Sequence, residues 1–387
     1  MIKTFSLSFF LAGKEIWRNR GRFLLFSLVI ALITLLVLFI AALGEGLGNG
    51  NREYIANIDG ELIVFRENAD FNIGASRLDQ STVRAVRRAA GVADAGGIST
   101  SNTAIVLPDE VLKVSLLGVE QGRPGFPTLA EGQSFSGGLA REAIVDRNVL
   151  SRSDIKVGDE ITVRSTQGTE DEFYTLKVVG STDGQSYFFQ PSIFVSPQTW
   201  ERVRPKSAAE SSNNNPNINI VAVKLAADSK IETVRENLTN SVSNIEVADI
   251  PTTINNIPGY SAQQGTVQTQ GGFTLLIGIL VIGGFFQIQI LQKVPQIGVL
   301  KAIGASNSVV GWAAVIQILI ITAMGVFIGG ALTFVFSLFF PPNIPLVFNG
   351  QASALAILAL LLIGPAGGLV SVIYAVRIEP LKALRLA

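Results

Sequence analysis

The side chains able to do chemistry in this 387-residue chain form a narrow set, because it holds no His and no Cys. That removes an imidazole base, a thiolate nucleophile and the usual zinc ligands. Asp154, Asp159, Glu160, Glu170, Asp171 and Glu172 gather in a way that invites calcium. They lack the alternating D-x-D-x-D-G order of a calcium loop, so they read as a solvated acidic rim. Gly46 to Gly50 and Gly271-Gly272 have the look of phosphate loops, yet neither follows a strand or precedes Lys-Ser or Lys-Thr. The chain therefore carries no Walker A element, and ATP, if used, is bound by another chain. These glycines are expected to redirect the backbone where helices leave a bilayer. The reading is a non-catalytic chain with no metal site and no cofactor of its own.

What remains is contact chemistry, and it concentrates between Gln296 and Ser306. Gly298, Ala302, Gly304 and Ala305 are small enough for close backbone approach. Ile297, Leu300 and Ile303 recur at helical spacing and predict one apolar face for a partner's groove. Lys301 offers a charge-assisted contact, and Pro295 suits the first turn of a helix. The segment 292–308 is thus expected to be a short docking helix.

The elements that position it are four apolar runs free of Asp, Glu, Lys and Arg: 23–43, 271–291, 309–340 and 353–374. At about 1.5 Å per residue, about 20 residues cross a hydrocarbon core of roughly 30 Å. Each run is long enough to span. The first run, with its long charged leader, reads as a retained anchor rather than a cleaved signal.

Charge gives the orientation. The leader carries Lys3, Lys14, Arg18, Arg20 and Arg22 against Glu15. Lys293 and Lys301 follow the second run, and Arg377, Lys382 and Arg385 follow the fourth against Glu379. By the positive-inside rule all three segments are cytoplasmic, so both termini are, and residues 44–270 lie outside. Phe9, Leu11, Ile16 and Trp17 beside Lys14, Arg18, Arg20 and Arg22 make 1–22 an amphipathic elbow helix anchored on the inner leaflet. A neutral chain with a mildly acidic exterior gives no sign of nucleic-acid binding.

The outer region reads as α+β. Glu61 to Phe65, Leu78 to Ala90 and the stretch to Val106 form one strand-helix-strand unit; Asn219 to Leu225, Ser229 to Leu238 and Asn244 to Ala248 form another. One lobe is expected from about 55–110 and 217–255. Short β-branched strands at Ala143 to Asp146, Glu160 to Val163, Tyr174 to Val179 and Ser192 to Val195 predict a second lobe over about 111–210. The polar run Ser211 to Pro216 marks its end. Residues 341–352 form a short external loop, and 375–387 a cytoplasmic tail. Gln287, Gln289 and Gln317, the strongly polar side chains within the apolar runs, read as bundle or dimer contacts. Gly278, Gly283, Gly284, Gly325, Gly329 and Gly330 suit tight helix packing, and Pro365 suits a kink.

These residues carry a family resemblance over the whole chain. Ala12 to Arg22, then Ala143 to Asp146 with Lys156 to Val163 and Leu176 to Gly180, resemble the leader and outer domain of type VII ABC transporter permeases. That family includes the macrolide exporter MacB, the lipoprotein-releasing permeases and the cell-division protein FtsX. Gln296 to Ser306 is similar to its E-I-G-x-L-R-A-L-G-A-S segment, and Val376 to Arg385 to its basic tail ending P-x-x-A-L-R. Pro295 and Gln296 stand where relatives carry charge.

The resemblance implies a bacterial plasma (inner) membrane protein whose coupling helix docks on a cytoplasmic ABC ATPase dimer holding ATP and Mg. It also implies a second permease copy, identical or not, and mechanical transmission to the outer domain for export of a lipid, lipoprotein, peptide or drug. A periplasmic adaptor is one further partner. An FtsX-like regulator of a cell-wall hydrolase is the alternative.

Overall fold

The computed structural model describes residues 2–108, 110–207, 217–340 and 346–379, with side chains from residue 8 onward. The run Ser211 to Pro216 and the tail from Pro380, with Lys382 and Arg385, lie outside the described residues. The chain opens with α1 (Ile2–Arg18) and α2 (Arg20–Ala56), followed by β1 (Leu62–Arg66), α3 (Gln80–Arg87), β2 (Val92–Val106) and β3 (Val111–Val119). Then come β4 (Leu129–Gly132), β5 (Glu142–Asp146), α4 (Arg147–Ser151), β6 (Glu160–Gln167), β7 (Glu170–Thr182) and β8 (Ser192–Val195). After α5 (Pro197–Val203), β9 (Ile220–Leu225), α6 (Ile231–Ser241), β10 (Ile245–Asp249) and α7 (Ile250–Asn255), three long helices close the chain. They are α8 (Tyr260–Ala302), α9 (Asn307–Ser337) and α10 (Gly350–Arg377). Two compact units result, Met1–Gly46 with Gln264–Ala387, and Leu47–Gln263.

In the globular unit the two strand-helix-strand segments interleave. The strand order β10-β1-β9-β2 places β9 between β1 and β2, and β1 between β9 and β10, with every neighbouring pair antiparallel. This is the double split βαβ arrangement, in which neither half can complete its sheet alone. Val83 and Val86 of α3 and Val234 and Leu238 of α6 lie at helical spacing and close a core over Leu62, Val64, Val221 and Val223. The remaining strands extend one ten-stranded sheet rather than form a second one. The cause is the length of β2: its first half pairs with β9, and its second half carries β3 and β6. A separate core, including Ile105, Val145, Ile161 and Trp200, fills the strand-rich part.

In the helical unit, α2, α8, α9 and α10 are each long and apolar enough to cross a membrane. They overrun the apolar runs at most ends; α8 covers 43 residues. The two glycine clusters do not turn the chain: Gly46 to Gly50 lies inside α2 and Gly271-Gly272 inside α8. Just before the first cluster a Cβ on Gly44 would stand 2.5 Å from Val267 Cγ1, whereas Gly271 and Gly272 have open space beside them. Pro365 lies within α10, which continues past it.

Close approach also joins the other helices. A Cβ on Gly325 would meet Ile30 at 2.5 Å, and one on Gly329 would meet Thr34 at 2.5 Å, both on α2. Gly283 and Gly367 face each other's helices, with 2.8 Å from a Gly283 Cβ to the Gly367 carbonyl. Gly330, by contrast, faces open space. Gly329→Leu is therefore expected to destabilise the detergent-solubilised protein by about 1–3 kcal/mol through overpacking, and Gly330→Leu to leave its melting temperature unchanged. Equal shifts for the two variants would contradict the α2–α9 packing.

Candidate functional site

The segment that sequence marks for contact is not a separate helix. α8 runs unbroken through Pro295 and Gln296 to Ala302, so Pro295 is an interior residue rather than a first-turn one. The helix then ends in a Schellman turn: Gly304 N–H donates to the Lys301 carbonyl at 3.0 Å, and Ala305 N–H to the Leu300 carbonyl at 3.1 Å. Gly304 holds φ at +107°, a conformation that a side chain disfavours. Ser306 follows as the N-cap of α9, accepting from the Val309 N–H at 3.4 Å. Gly304-Ala305-Ser306 is thus a stop signal joined to a start signal, which explains the glycine without any partner.

The apolar face of this segment points inward. Ile297 is 9% exposed and packs with Ile290, Val294, Val310, Ala375 and Ile378, with Leu300 half-buried against them. Gly298 is buried as well. Lys301 Nζ donates to the carbonyls of Val376 at 2.6 Å and Ile378 at 2.9 Å, where α10 ends. A lysine at a helix C-terminus satisfies carbonyls that have no intrahelical partner. Helical spacing correctly marks an apolar face at Ile297 and Leu300, but the chain covers that face itself. The surface left for a partner is the turn: Ile303 is 80% exposed, and Gln296, Ala302, Gly304 and Ser306 are exposed, with Ala305 half-buried.

The leader splits at Asn19 into α1 and the start of α2. Trp17 is 79% exposed, with Phe9, Phe10, Lys14, Arg18 and Arg20 also exposed, while Ala12 is buried. Lys14 lies over the Phe10 ring at 5.8 Å and the half-buried Arg22 over Phe26 at 5.7 Å, cation–π contacts that hold the bases beside apolar surface.

Glu15 does what no motif announces. Its carboxylate pairs with Lys293 of α8 and accepts from Gln317 Nε2 of α9 at 2.5 Å. Lys293 also donates to Gln317 Oε1 at 3.4 Å and lies over the Phe23 ring of α2 at 5.6 Å. One polar network therefore gathers four helices. The only available signals were a lone acid in a basic leader and a Gln inside an apolar run. Of the other glutamines, Gln287 accepts from Ser371 Oγ at 3.3 Å, and buried Gln289 has no partner for Oε1 among the described residues. Among the described residues no group of three or more acidic side chains could hold a metal ion.

Comparison with known proteins decides the family. The MacB-like periplasmic core domain matches residues 23–241, more than half of the chain, and the FtsX-like permease C-terminal domain matches residues 271–380. The chain belongs to the MacB/FtsX family of ABC transporter permeases. Over 376 residues the permease is 25% identical to a putative hemin transport system permease protein HrtB of Staphylococcus haemolyticus, covering 97% of this chain and 98% of the relative. An HrtB of Staphylococcus epidermidis is 22% identical over 374 residues, covering 97% and 98%. Among solved structures, the extracellular domain of the noncanonic ABC-type transporter YknZ from Gram-positive bacteria covers 49% of this chain and 99% of that one, at 11% identity and a TM-score of 0.35. The periplasmic region of MacB from Actinobacillus actinomycetemcomitans covers 53% and 97%, at 13% identity and a TM-score of 0.38.

Removing Glu15 would leave Lys293 charged and half-buried, whereas removing an exposed base would strand nothing. Glu15→Gln in the purified permease is expected to lower stability by about 1.5–3 kcal/mol, the value of a hydrogen bond to a charged group. Arg20→Gln should stay within about 0.5 kcal/mol of wild type. A Glu15→Gln melting curve that overlays the wild-type curve would show that the network carries no stability.

Proposed function

We propose that the permease is the membrane subunit of an exporter whose ATP and Mg are held by a separate ATPase chain, and that this ATPase docks on the exposed α8–α9 turn. The observation that carries the reading is the full-length relation to transport permeases, with 97% of the chain matched. The positive-inside rule supports a cytoplasmic position for this turn and both termini, in a bacterial inner membrane. It equally supports an outer position for the MacB-like domain. Docking contacts then come from Ala302, Ile303, Gly304 and Ser306, with Gln296 beside them, rather than from a full helix face. Ile297, Leu300 and Lys301 hold the turn in place from behind.

Closure of an ATPase dimer would pull on two such turns, one in each of two permease copies. α8 leads from the turn toward the outer domain, and α2 provides the second connection, so the transmitted signal is mechanical rather than chemical. The buried Ile297, the half-buried Leu300 and the Lys301 bonds at the end of α10 make the end of α8 move with α10 rather than bend alone.

Hemin, the cargo named for the relatives, is the first substrate to test. It is a flat apolar ring bearing carboxylates, and its iron is ordinarily ligated by His, Cys, Met or Tyr. With His and Cys absent, exposed Met324 of α9 and Tyr374 of α10 are, among the described residues of the helical unit, the Met and Tyr side chains able to ligate iron. Hemin would therefore be handled chiefly as an amphiphile.

Two experiments test this reading. Ile303→Arg changes an exposed side chain, so folding should be preserved while co-purification with the ATPase and stimulated ATP turnover fall at least about tenfold, the effect of losing one interface anchor. Undiminished association would remove the turn from the interface. Gly304 is a poorer probe, because any side chain there strains the turn itself. For orientation, the chain's lack of Cys allows single-cysteine labelling at exposed positions. In intact cells an impermeant maleimide should label Thr169→Cys and spare Ser308→Cys, both exposed sites. The reverse pattern would invert the topology.

A further inference from the structure

Behind the α8–α9 turn, α1, α8, α9 and α10 line an open cavity of about 480 Å³, within the range of ligand sites. One wall is apolar, from Leu11 across Ile297 to Val310. On α1, Lys14 and Arg18, exposed and one helical turn apart, follow Leu11 along the same lining. The lining also holds the Glu15, Lys293 and Gln317 network. Of the cavity's four charged side chains three are basic, and the one acid is engaged by Lys293. Lys14 and Arg18 therefore have no acidic partner among the described residues.

From this arrangement we infer that the cavity binds an anionic phospholipid, its phosphate between Lys14 and Arg18 and one acyl chain along the Ile297 wall. The inference rests on the membrane reading but not on ATPase docking. Two unneutralised bases beside an apolar wall match a phosphate joined to a hydrocarbon chain, and basic pockets between membrane helices take anionic headgroups. A soluble phosphate would use only the cationic end. An acidic peptide would lay backbone N–H and C=O groups against the apolar wall without hydrogen-bond partners. A zwitterionic lipid would bring its own cation toward the two bases. Exposed Phe9, Phe10 and Trp17 on the same helix give the lipid a continuous apolar surface from which to enter.

The bound lipid would join α1 to α8 and α9 directly behind the turn. The membrane's anionic lipid content would then set how firmly the turn is backed.

The test uses the full permease alone, in nanodiscs of phosphatidylcholine with phosphatidylglycerol, extracted into mild detergent and read by native mass spectrometry. Wild type should retain one phosphatidylglycerol per chain. Lys14→Gln with Arg18→Gln should weaken retention about 30-fold, each base contributing about fivefold at a membrane surface. Arg20→Gln with Arg22→Gln, surface bases outside the cavity lining, should lower loosely carried lipid but keep the single retained phosphatidylglycerol. Ala313→Trp, which fills the cavity from α9, should reduce retention with all four bases intact. Equal retention by wild type and the Lys14/Arg18 variant would overturn the inference, as would equal loss in the Arg20/Arg22 control, which would indicate general attraction to the surface. Displacement of the lipid by millimolar inorganic phosphate would assign the site to a soluble anion instead. No ATPase is present, so a failure here is separate from a failure of the docking proposal.

Discussion

Apolar helices gain nothing by leaving lipid for one another, so a bundle in a bilayer depends on how closely its backbones can approach. Here that closeness is supplied by glycines at a few positions: Gly325 and Gly329 against α2, and Gly283 and Gly367 between α8 and α10. Gly364 against Thr322 and Gly368 against Ile318 complete the set between α9 and α10. The larger side chains, Phe23, Ile30, Phe286, Ile318 and Ile363, then fill the space these contacts fix. At one end the glycines give way to a polar device. Glu15, Lys293 and Gln317 satisfy one another where α1 meets α8 and α9, and this specifies a geometry that apolar packing alone would leave open.

The turn between α8 and α9 depends on both devices. Its backbone is fixed locally by Gly304 and Ser306, while its position is fixed by Ile297 and Leu300 in the core and by Lys301 on the end of α10. The outcome is a small exposed tip on a rigid support.

Much of this was legible in the residues, for identifiable reasons. Charge-free runs of spanning length have few other uses, and the strands around Val64 and Val223 alternate against helices with Val and Leu at helical spacing. The pairing of both ends of the outer region in one lobe followed from their similarity. What stayed hidden depended on partners distant in sequence. Periodicity marks the face made by Ile297 and Leu300 but not what covers it, and the covering residues, Val310, Ala375 and Ile378, come from two other helices. Lys293 and Lys301 read as orienting charges because their acceptors, Glu15 and the α10 carbonyls, lie far away along the chain. Glycine clusters resembled turns because local propensity favours that reading, yet they lie inside α2 and α8, and Gly271 and Gly272 have open space beside them. β3 alternates from Leu112 to Leu116 and then turns apolar on both faces at Leu116-Leu117; it is defined by its pairing with β2 and β8.

The interleaved sheet has a mechanical property of its own. The chain reaches β1 from α2 and leaves β10 toward α8, and the register sets Leu62, the first residue of β1, opposite Asp249, the last of β10. Both connections thus attach at the same end of one antiparallel ladder. Tension between them would open its rungs in succession, from Leu62 toward Arg66, and would never load all of them together. The strand so loaded is β10, the end strand of the sheet, held on this side by β1 alone.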